Sequence, residues 1–490
     1  MKAIMLMFDT LTRNYLPSYG NEFSIMPNFK RLESKTITFE EFYGGSMPCM
    51  PARRELHTGK YNFLHRGWGP LEPFDISCIE LLKKNGIYTH LSTDHSHYWE
   101  DGGATYHSRY NTFEFFRGQE GDRWTPQWHA DESLNTCSLN KKNESATQHL
   151  ANRKRIVNEE DMPSVQAVSA GIDFIEHFSN KDQWFLQIEC FDPHEPFYVP
   201  EKYRELYSCC DSHDAFNFPA YTFVDGKYTD EQIHDMRKEY CALLSMCDAQ
   251  LGRLLDTMDK YDMWKDTMLI VNTDHGFFLG EHNFIGKNIP PMFDEVIHTP
   301  FYIHDPRVEC DGQRRTALGQ TIDLAPTLLN YFNINISHEI DGKDLLPVIE
   351  NNTSIHENIL YGVHGGQVNI YDGKYCYMKS SVDSKLPIYH MTLMPTLMRG
   401  FIACNEINEA TFVSGGKYSN QTKVLQIPCS MTQGGIIQHK TALYDKSNDP
   451  KQQHPITEMS IIMLMDEKLR NAMLRVDAPD WQFARMGFTK

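Results

Sequence analysis

No run of apolar residues in this 490-residue chain is long enough to cross a bilayer, so a membrane-spanning helix is not expected. The opening run Met1-Lys2-Ala3-Ile4-Met5-Leu6-Met7-Phe8 is too short for a secretory leader, and the expectation is a soluble, cytoplasmic protein. Basic charge is scarce too. Lysine and arginine number 47 against 65 aspartates and glutamates, a net charge of −18. That balance argues against a nucleic-acid or anionic-membrane partner, because such faces need many cationic contacts with phosphates. It leaves room for a small anionic substrate, which a local cluster of cations and a metal can hold. The 12 cysteines show neither zinc-site spacing nor a small disulfide framework. They read as reduced core thiols, with Cys209-Cys210 a vicinal pair. Internal repeats and low-complexity tracts are also lacking.

What is present points to a large folded enzyme. Hydrophobic residues make up 41% and aromatics 12%, enough to bury a sizeable core, and the length predicts more than one domain. Lys2 to Phe8, Trp184 to Phe191 and Thr267 to Thr273 are apolar runs, the pattern of strands buried on both faces. Tyr240, Leu243, Leu244, Cys247, Leu251, Leu254, Leu255 and Met258 fall at helical spacing, and Thr229 with Gln232 predicts the capping box of that helix. The expected fold is α/β, a large mostly parallel sheet sandwiched by helices. The polar stretch Glu350-Asn351-Asn352-Thr353-Ser354 reads as a linker. Beyond it, Gln367 to Tyr371 and Tyr375 to Lys379 flank Asp372-Gly373, a hairpin signal, and a helix is expected from Glu458 to Leu474. Residues 1–350 are thus assigned to a catalytic domain and 355–490 to a smaller α+β domain built on an antiparallel sheet.

Each of the long apolar runs leads to a polar group: Asp9, then Asp192-Pro193-His194, then Asp274-His275. Ligands of α/β sheets gather at strand C-terminal ends, and carboxylates with an imidazole suit a divalent cation. The segment Cys49-Met50-Pro51-Ala52-Arg53-Arg54-Glu55-Leu56-His57-Thr58-Gly59 resembles the signature C-x-P-S/A-R, followed by Leu and T-G, of the formylglycine-dependent sulfatases in the alkaline-phosphatase-like superfamily. The likeness extends to Thr273-Asp274-His275-Gly276 with Lys287, to Phe191-Asp192-Pro193-His194-Glu195-Pro196-Phe197, to Asp323-Leu324-Ala325-Pro326-Thr327, to Asp341-Gly342-Lys343-Asp344-Leu345, and to Leu443-Tyr444-Asp445.

The resemblance implies a nucleophile made by oxidising Cys49 to formylglycine, through a formylglycine-generating maturation enzyme as partner. It implies one divalent metal on Asp9, Cys49, Asp274 and His275, with calcium first and manganese or another transition metal as alternatives. Arg53 would orient the nucleophile and hydrogen-bond its hydrate, Lys287 would neutralise charge on the transferred group, and His194 would protonate the leaving oxygen. The family's usual pattern is broken at Thr10, where a second carboxylate is expected, at His275, where Asn is usual, and at Asp94, where a lysine is expected. Lys60, His95 or His97 would then make up for the missing lysine, with His97 chosen as substrate contact or base for the hydrate. Arg109, in the aromatic stretch Tyr98 to Trp124, is assigned to substrate binding because Arg and aromatic rings suit an anionic sugar. The expected activity is a sulfatase acting on a sulfated carbohydrate such as a glycosaminoglycan fragment. The alternatives are a phosphonate monoester hydrolase or phosphodiesterase of the same superfamily, and a non-catalytic metal-binding protein.

Overall fold

A computed structural model describes residues 1–126, 144–209, 218–309, 312–429 and 439–490. Cys210 lies outside the described residues, whereas Cys78, Cys190, Cys241 and Cys247 sit in the apolar clusters as buried thiols. The first strand, β1 (Lys2–Phe8), explains the architecture by itself. Ile4, Leu6 and Phe8 pack into one apolar cluster, and Ala3, Met5 and Met7 into a second on the opposite face. A strand with two dry faces requires cover on both sides.

The sheet around it continues with β2 (Ile37–Phe39), and a short β3 (Ser46–Met47) leaves it for another sheet. The later strands are β4 (Tyr88–Thr93), β5 (Thr112–Phe115), β6 (Trp184–Cys190), β7 (Thr267–Thr273), β8 (Phe301–His304) and β9 (Arg314–Arg315). Their order is β9-β2-β8-β7-β1-β6-β4-β5. The five from β7 to β5 run parallel, while β8 is antiparallel to both of its neighbours. In-register pairing sets Phe8 beside Cys190 on one side and Thr273 on the other, so the three polar strand ends emerge together.

Three helices bear directly on the site: α1 (Cys49–Thr58), α2 (Pro163–Phe178) and α3 (Asp230–Lys260). The apolar stripe of α3 lies in the cluster under Ile4, Leu6 and Phe8, and its N-terminus carries the Thr229/Gln232 capping box. The C-terminal region adds β10 (Ile359–Val363), β11 (Val368–Tyr371), β12 (Tyr375–Lys379), β13 (Tyr389–Thr392), β14 (Thr411–Ser414), β15 (Lys423–Pro428), β16 (Ala442–Asp445) and the helix α4 (Met459–Arg475). One small sheet runs β16-β12-β11-β10-β3, and another β13-β15-β14. In the first, β3 pairs parallel with β10, so a strand from residues 46–47 completes a sheet otherwise built after residue 355. That pairing ties the chain entering Cys49 to the C-terminal region.

The helix α1 is buried along its whole length and ends where Gly59, at φ 63°, donates to Glu55 O at 2.7 Å. Glu55 itself faces inward. Its Oε1 accepts from Ser46 N at 2.6 Å and from Ser46 Oγ, while Oε2 has no partner among the described residues. Burial outweighs these bonds and pushes the carboxyl up to about 8. The native state therefore holds a proton that the unfolded chain releases near 4.5, so this contribution to stability is complete below pH 4.5 and is lost as pH rises through about 8. Since a tenfold change in proton affinity is worth about 1.4 kcal/mol, the loss is bounded at about 5 kcal/mol. Glu55→Gln is expected to remove this dependence, leaving the variant more stable than the parent at pH 8.5 and close to it at pH 5. Urea denaturation at the two pH values checks it, and equal pH profiles for the two proteins would rule the account out.

Candidate active site

Four side chains from three elements converge at the C-terminal edge of the parallel strands. Ligand atoms of Asp9, Cys49, Asp274 and His275 all lie within 4.8 Å of one another, and all four residues are buried. Asp9 follows β1, Asp274 and His275 follow β7, and Cys49 begins α1. The Cys49 Sγ lies 3.2 Å from His275 Nε2, 3.5 Å from Lys287 Nζ and 3.9 Å from Asp9 Oδ1. His275 Nδ1 sits 3.0 Å from Gly276 O, and a carbonyl only accepts, so the ring proton is on Nδ1 and the Nε2 lone pair points at the cluster.

Arg53 organises the carboxylates from below. Its Nη2 donates to Asp9 Oδ2 at 3.0 Å, Nη1 to Asp274 Oδ2 at 2.6 Å, and Nε to Glu189 Oε1 at 2.6 Å; Nη1 also donates to Cys49 O at 3.0 Å. Burial alone would raise the Asp9 carboxyl, but Arg53 and then Lys287 outweigh it and hold Asp9 well below the usual carboxylate range. Burial lowers His275, so the imidazole is neutral near pH 7. It also pushes the Cys49 thiol well up, with Asp9 adding to the effect. Two carboxylates, a neutral imidazole and the sulfur of residue 49 are a donor set that fits a divalent cation. Thr10 occupies the turn after Asp9 at φ 64°, uncommon for a β-branched residue. Its N donates to Asp274 Oδ1 at 3.1 Å and its Oγ1 to Asp9 Oδ1 at 2.6 Å, and Tyr240 Oη donates to its carbonyl at 2.8 Å. A hydroxyl here thus orients the carboxylates where a second acid was expected.

A cavity of about 580 Å³ opens over Cys49. Its described walls include His97, His194, Lys287, Trp68, Glu120, Glu195, Tyr221, His390 and Arg399. Lys287 Nζ reaches Thr10 Oγ1 at 3.4 Å, and its acidic neighbours, Asp9 among them, hold it protonated despite burial. His194 Nδ1 is 2.5 Å from Glu195 O, which leaves Nε2 for a substrate. Burial and then Lys287 hold His194 well below its ordinary value.

A model of the sulfatase family matches residues 2–334. The chain belongs to the sulfatase family. Its reaction class is sulfuric ester hydrolysis. Among relatives of the sulfatase chain, the arylsulfatase of Clostridium perfringens is 23% identical over 390 residues, which cover 74% of this chain and 81% of that protein. A protein solved in complex with its substrate D-glucosamine-2-N,6-O-disulfate shares the fold at TM-score 0.66 and 14% identity, over 98% of both chains. The phosphonate monoester hydrolase of Agrobacterium radiobacter does so at TM-score 0.67 and 16% identity, over 97% of this chain and 95% of that one.

The sulfatase fold does not bring every expected residue to the cavity. Lys60 Nζ donates to Lys417 O and Asn420 Oδ1, each at 2.7 Å, and lines a separate cavity of about 780 Å³. Arg109 Nε donates to Thr105 O at 2.8 Å and Nη1 lies 3.5 Å from Glu80, so it belongs to a surface helix end. Neither lines the cavity over Cys49. His95 is fully buried with Nε2 3.3 Å from Asp9 Oδ2, behind the carboxylate, where a substrate does not reach. Arg53 directs four of its five N–H donors to Asp9, Asp274, Glu189 and Cys49 O, which positions the carboxylates around the cluster. Asp94 turns away from the cavity, accepting from Phe191 N at 2.7 Å and Gln119 Nε2 at 2.8 Å; burial and the adjacent Asp192 raise its carboxyl well above the usual range. Asp94 therefore presents no carboxylate to an anion in the cavity over Cys49.

Other residues at the site escaped the reading of the chain. Glu189 was visible as a lone acid in the apolar run Trp184 to Cys190, and it also accepts from Tyr98 Oη at 2.8 Å. Arg399, by contrast, comes from the C-terminal region with no signal in Leu397-Met398-Arg399-Gly400. Its Nη2 lies 3.4 Å from His97 Nδ1 and its Nε donates to Glu100 Oε1 at 2.5 Å. Arg109→Ala is expected to change kcat/KM by less than about twofold, as for a surface substitution. Steady-state turnover checks it, and a larger loss would return Arg109 to the substrate site.

Proposed function

We propose that this sulfatase hydrolyses a sulfate ester on a small carbohydrate, using formylglycine made from Cys49. The observation that carries the reading is the placement of Cys49, 1% exposed yet lining the cavity, within 3.9 Å of Asp9, His275 and Lys287. The maturation enzyme would oxidise the Cys49 side chain from CH2–SH to an aldehyde, its own oxidant taking two electrons and the sulfur leaving as sulfide, and the aldehyde hydrates to two geminal hydroxyls. One hydroxyl oxygen bonds to sulfur as the sulfur–oxygen bond to the sugar breaks. The second hydroxyl then gives its proton to a base, for which His97 on the cavity wall is the candidate, the carbonyl re-forms, and the carbon–oxygen bond to sulfate breaks.

A divalent metal on Asp9, Asp274, His275 and the oxidised residue 49 would supply Lewis-acid polarisation of the ester, calcium first and manganese or another transition metal as alternatives. The chain's own groups do the rest. Lys287 places positive charge beside the reacting centre. His194 is neutral at rest, and an entering anion raises its proton affinity, so that Nε2 can carry a proton to the leaving sugar oxygen. Arg399, with His97 beside it, offers a cation on the far wall, and Trp68 an apolar face, the two features by which a sulfated sugar is held. A structural relative carries D-glucosamine-2-N,6-O-disulfate as its substrate, which supports the same substrate class here.

The competing reading, hydrolysis of phosphonate monoesters or phosphodiesters, shares this donor set. A panel of defined sulfated mono- and disaccharides, run beside phosphonate monoesters and phosphodiesters on the matured protein, separates them. The expected result is the highest kcat/KM on a sulfated saccharide. A higher value on a phosphonate or phosphodiester would overturn the proposal.

A further inference from the structure

A second group of metal-ligating side chains lies in the C-terminal region and has no part in the reaction above. One ring nitrogen of His364, one of His390 and the Cys429 Sγ all fall within 4.8 Å of one another. The three come from separate pieces of backbone: His364 follows β10, His390 is in β13, and Cys429 follows β15. His364 is 2% exposed and His390 6%. Their rings stack with centroids 5.1 Å apart.

The hydrogen bonding of the two rings is incomplete in an informative way. His364 Nδ1 lies 3.0 Å from Phe63 O, which can only accept, so Nδ1 bears the proton and Nε2 the lone pair. That Nε2 has no partner among the described residues, and neither has His390 Nδ1. Buried polar atoms are rarely left this way without an ion or water to meet them. A backbone carbonyl that fixes the tautomer is also the usual second partner of a metal-bound imidazole. Burial pushes the His364 imidazole down to about 3 and lowers His390 as well, so both rings are in the neutral, ligating form.

We propose that His364, His390 and Cys429 form a second metal centre, for a divalent ion of the zinc class, that joins β10, β13 and the end of β15. Two nitrogens and a sulfur suit a borderline ion and offer no oxygen to calcium or magnesium. Bond lengths of about 2.0–2.1 Å to nitrogen and 2.3 Å to sulfur put tetrahedral ligand atoms roughly 3.3–3.6 Å apart, a contraction that side-chain torsions provide. The guanidiniums of Arg66 and Arg485 disfavour added positive charge near His364, and a thiolate at Cys429 offsets one unit of it. His390 also lines the cavity over Cys49, so the centre would brace that wall while leaving its fourth position to water.

The test uses the full chain with Cys49→Ala, which removes the thiol of the catalytic centre, stripped with chelator and titrated with Co2+ alone. The expected result is a thiolate-to-cobalt charge-transfer band, lost on adding Cys429→Ser and displaced by Zn2+; cobalt held by Asp9, Asp274 and His275 gives no such band, since Cys49→Ala leaves no thiolate there. In the same Cys49→Ala protein, with no further substitution, Zn2+ should slow alkylation of Cys429 by about tenfold or more, read by peptide mass spectrometry. The alkylation arm keeps the proposal testable even where Cys429→Ser does not fold. Absence of a band that depends on Cys429, or equal alkylation rates with and without Zn2+, overturns it.

Discussion

Cys49→Ala is expected to lower kcat on a sulfated saccharide by on the order of 10⁴- to 10⁶-fold, the range seen when a covalent nucleophile is removed. The substitution leaves Asp9, Asp274, His275 and Lys287 in place around a small apolar side chain. The variant should therefore stay folded and still bind substrate, and the loss should fall in kcat with little change in affinity. Single-turnover assays with direct binding measurements separate the two. Mass analysis of the peptide containing residue 49 from active parent protein should show an aldehyde where the gene encodes a thiol. Wild-type activity from protein whose Cys49 is entirely unmodified would sink the mechanism, and so would a loss of less than tenfold in Cys49→Ala.

Arg53→Met should be the most destabilising single change in the site. One guanidinium bridges Asp9, Asp274 and Glu189, all 0% exposed, and the methionine would leave that negative charge unpaired in a dry interior. Breaking a buried ion pair from one side costs about 3–5 kcal/mol, and here three carboxylates lose their cation together. Lysine is no substitute, because a compact ammonium cannot span the positions that the planar fork reaches. A divalent ion should restore part of the loss, since it neutralises Asp9 and Asp274 but leaves Glu189 held by Tyr98 and Gln187 alone. Urea unfolding in chelator and then with calcium or manganese measures both effects. A destabilisation below about 1 kcal/mol in chelator would show that Arg53 is not what makes the carboxylate cluster tolerable.

Much of this arrangement was legible in the chain because local rules govern it. The two-faced apolar strands, the α3 stripe with its Thr229/Gln232 capping box and the hairpin around Asp372-Gly373 follow from periodicity and turn chemistry, which act over a few residues. The metal-ligand candidates were legible for a related reason. In a parallel sheet, every strand delivers its C-terminal end to the same edge, so an acid or imidazole just past an apolar run is aimed at a common place. Asp9, Asp274, His275, Cys49, Lys287 and His194 do converge there.

Misplaced residues share a different cause. Lys60 and Arg109 carry the right charge and lie close in sequence to site residues, yet α1 carries Lys60 to its far end and Arg109 turns to Glu80 on the surface. Asp94 and His95 leave the same strand on opposite errands, one to Phe191 N and one to Asp9. Arg399 reaches the cavity from a chain segment some 300 residues distant from its neighbour His97, and the bond from Gly102 N to Met398 O at 3.1 Å ties those regions together. By itself the sequence determined the family, the strand and helix pattern and the chemical types at the reactive edge, because composition, period and motif are carried along the chain. Only the tertiary structure decided which charged groups face the cavity over Cys49 and which lie behind it, because side-chain direction and long-range packing depend on every element that closes around them.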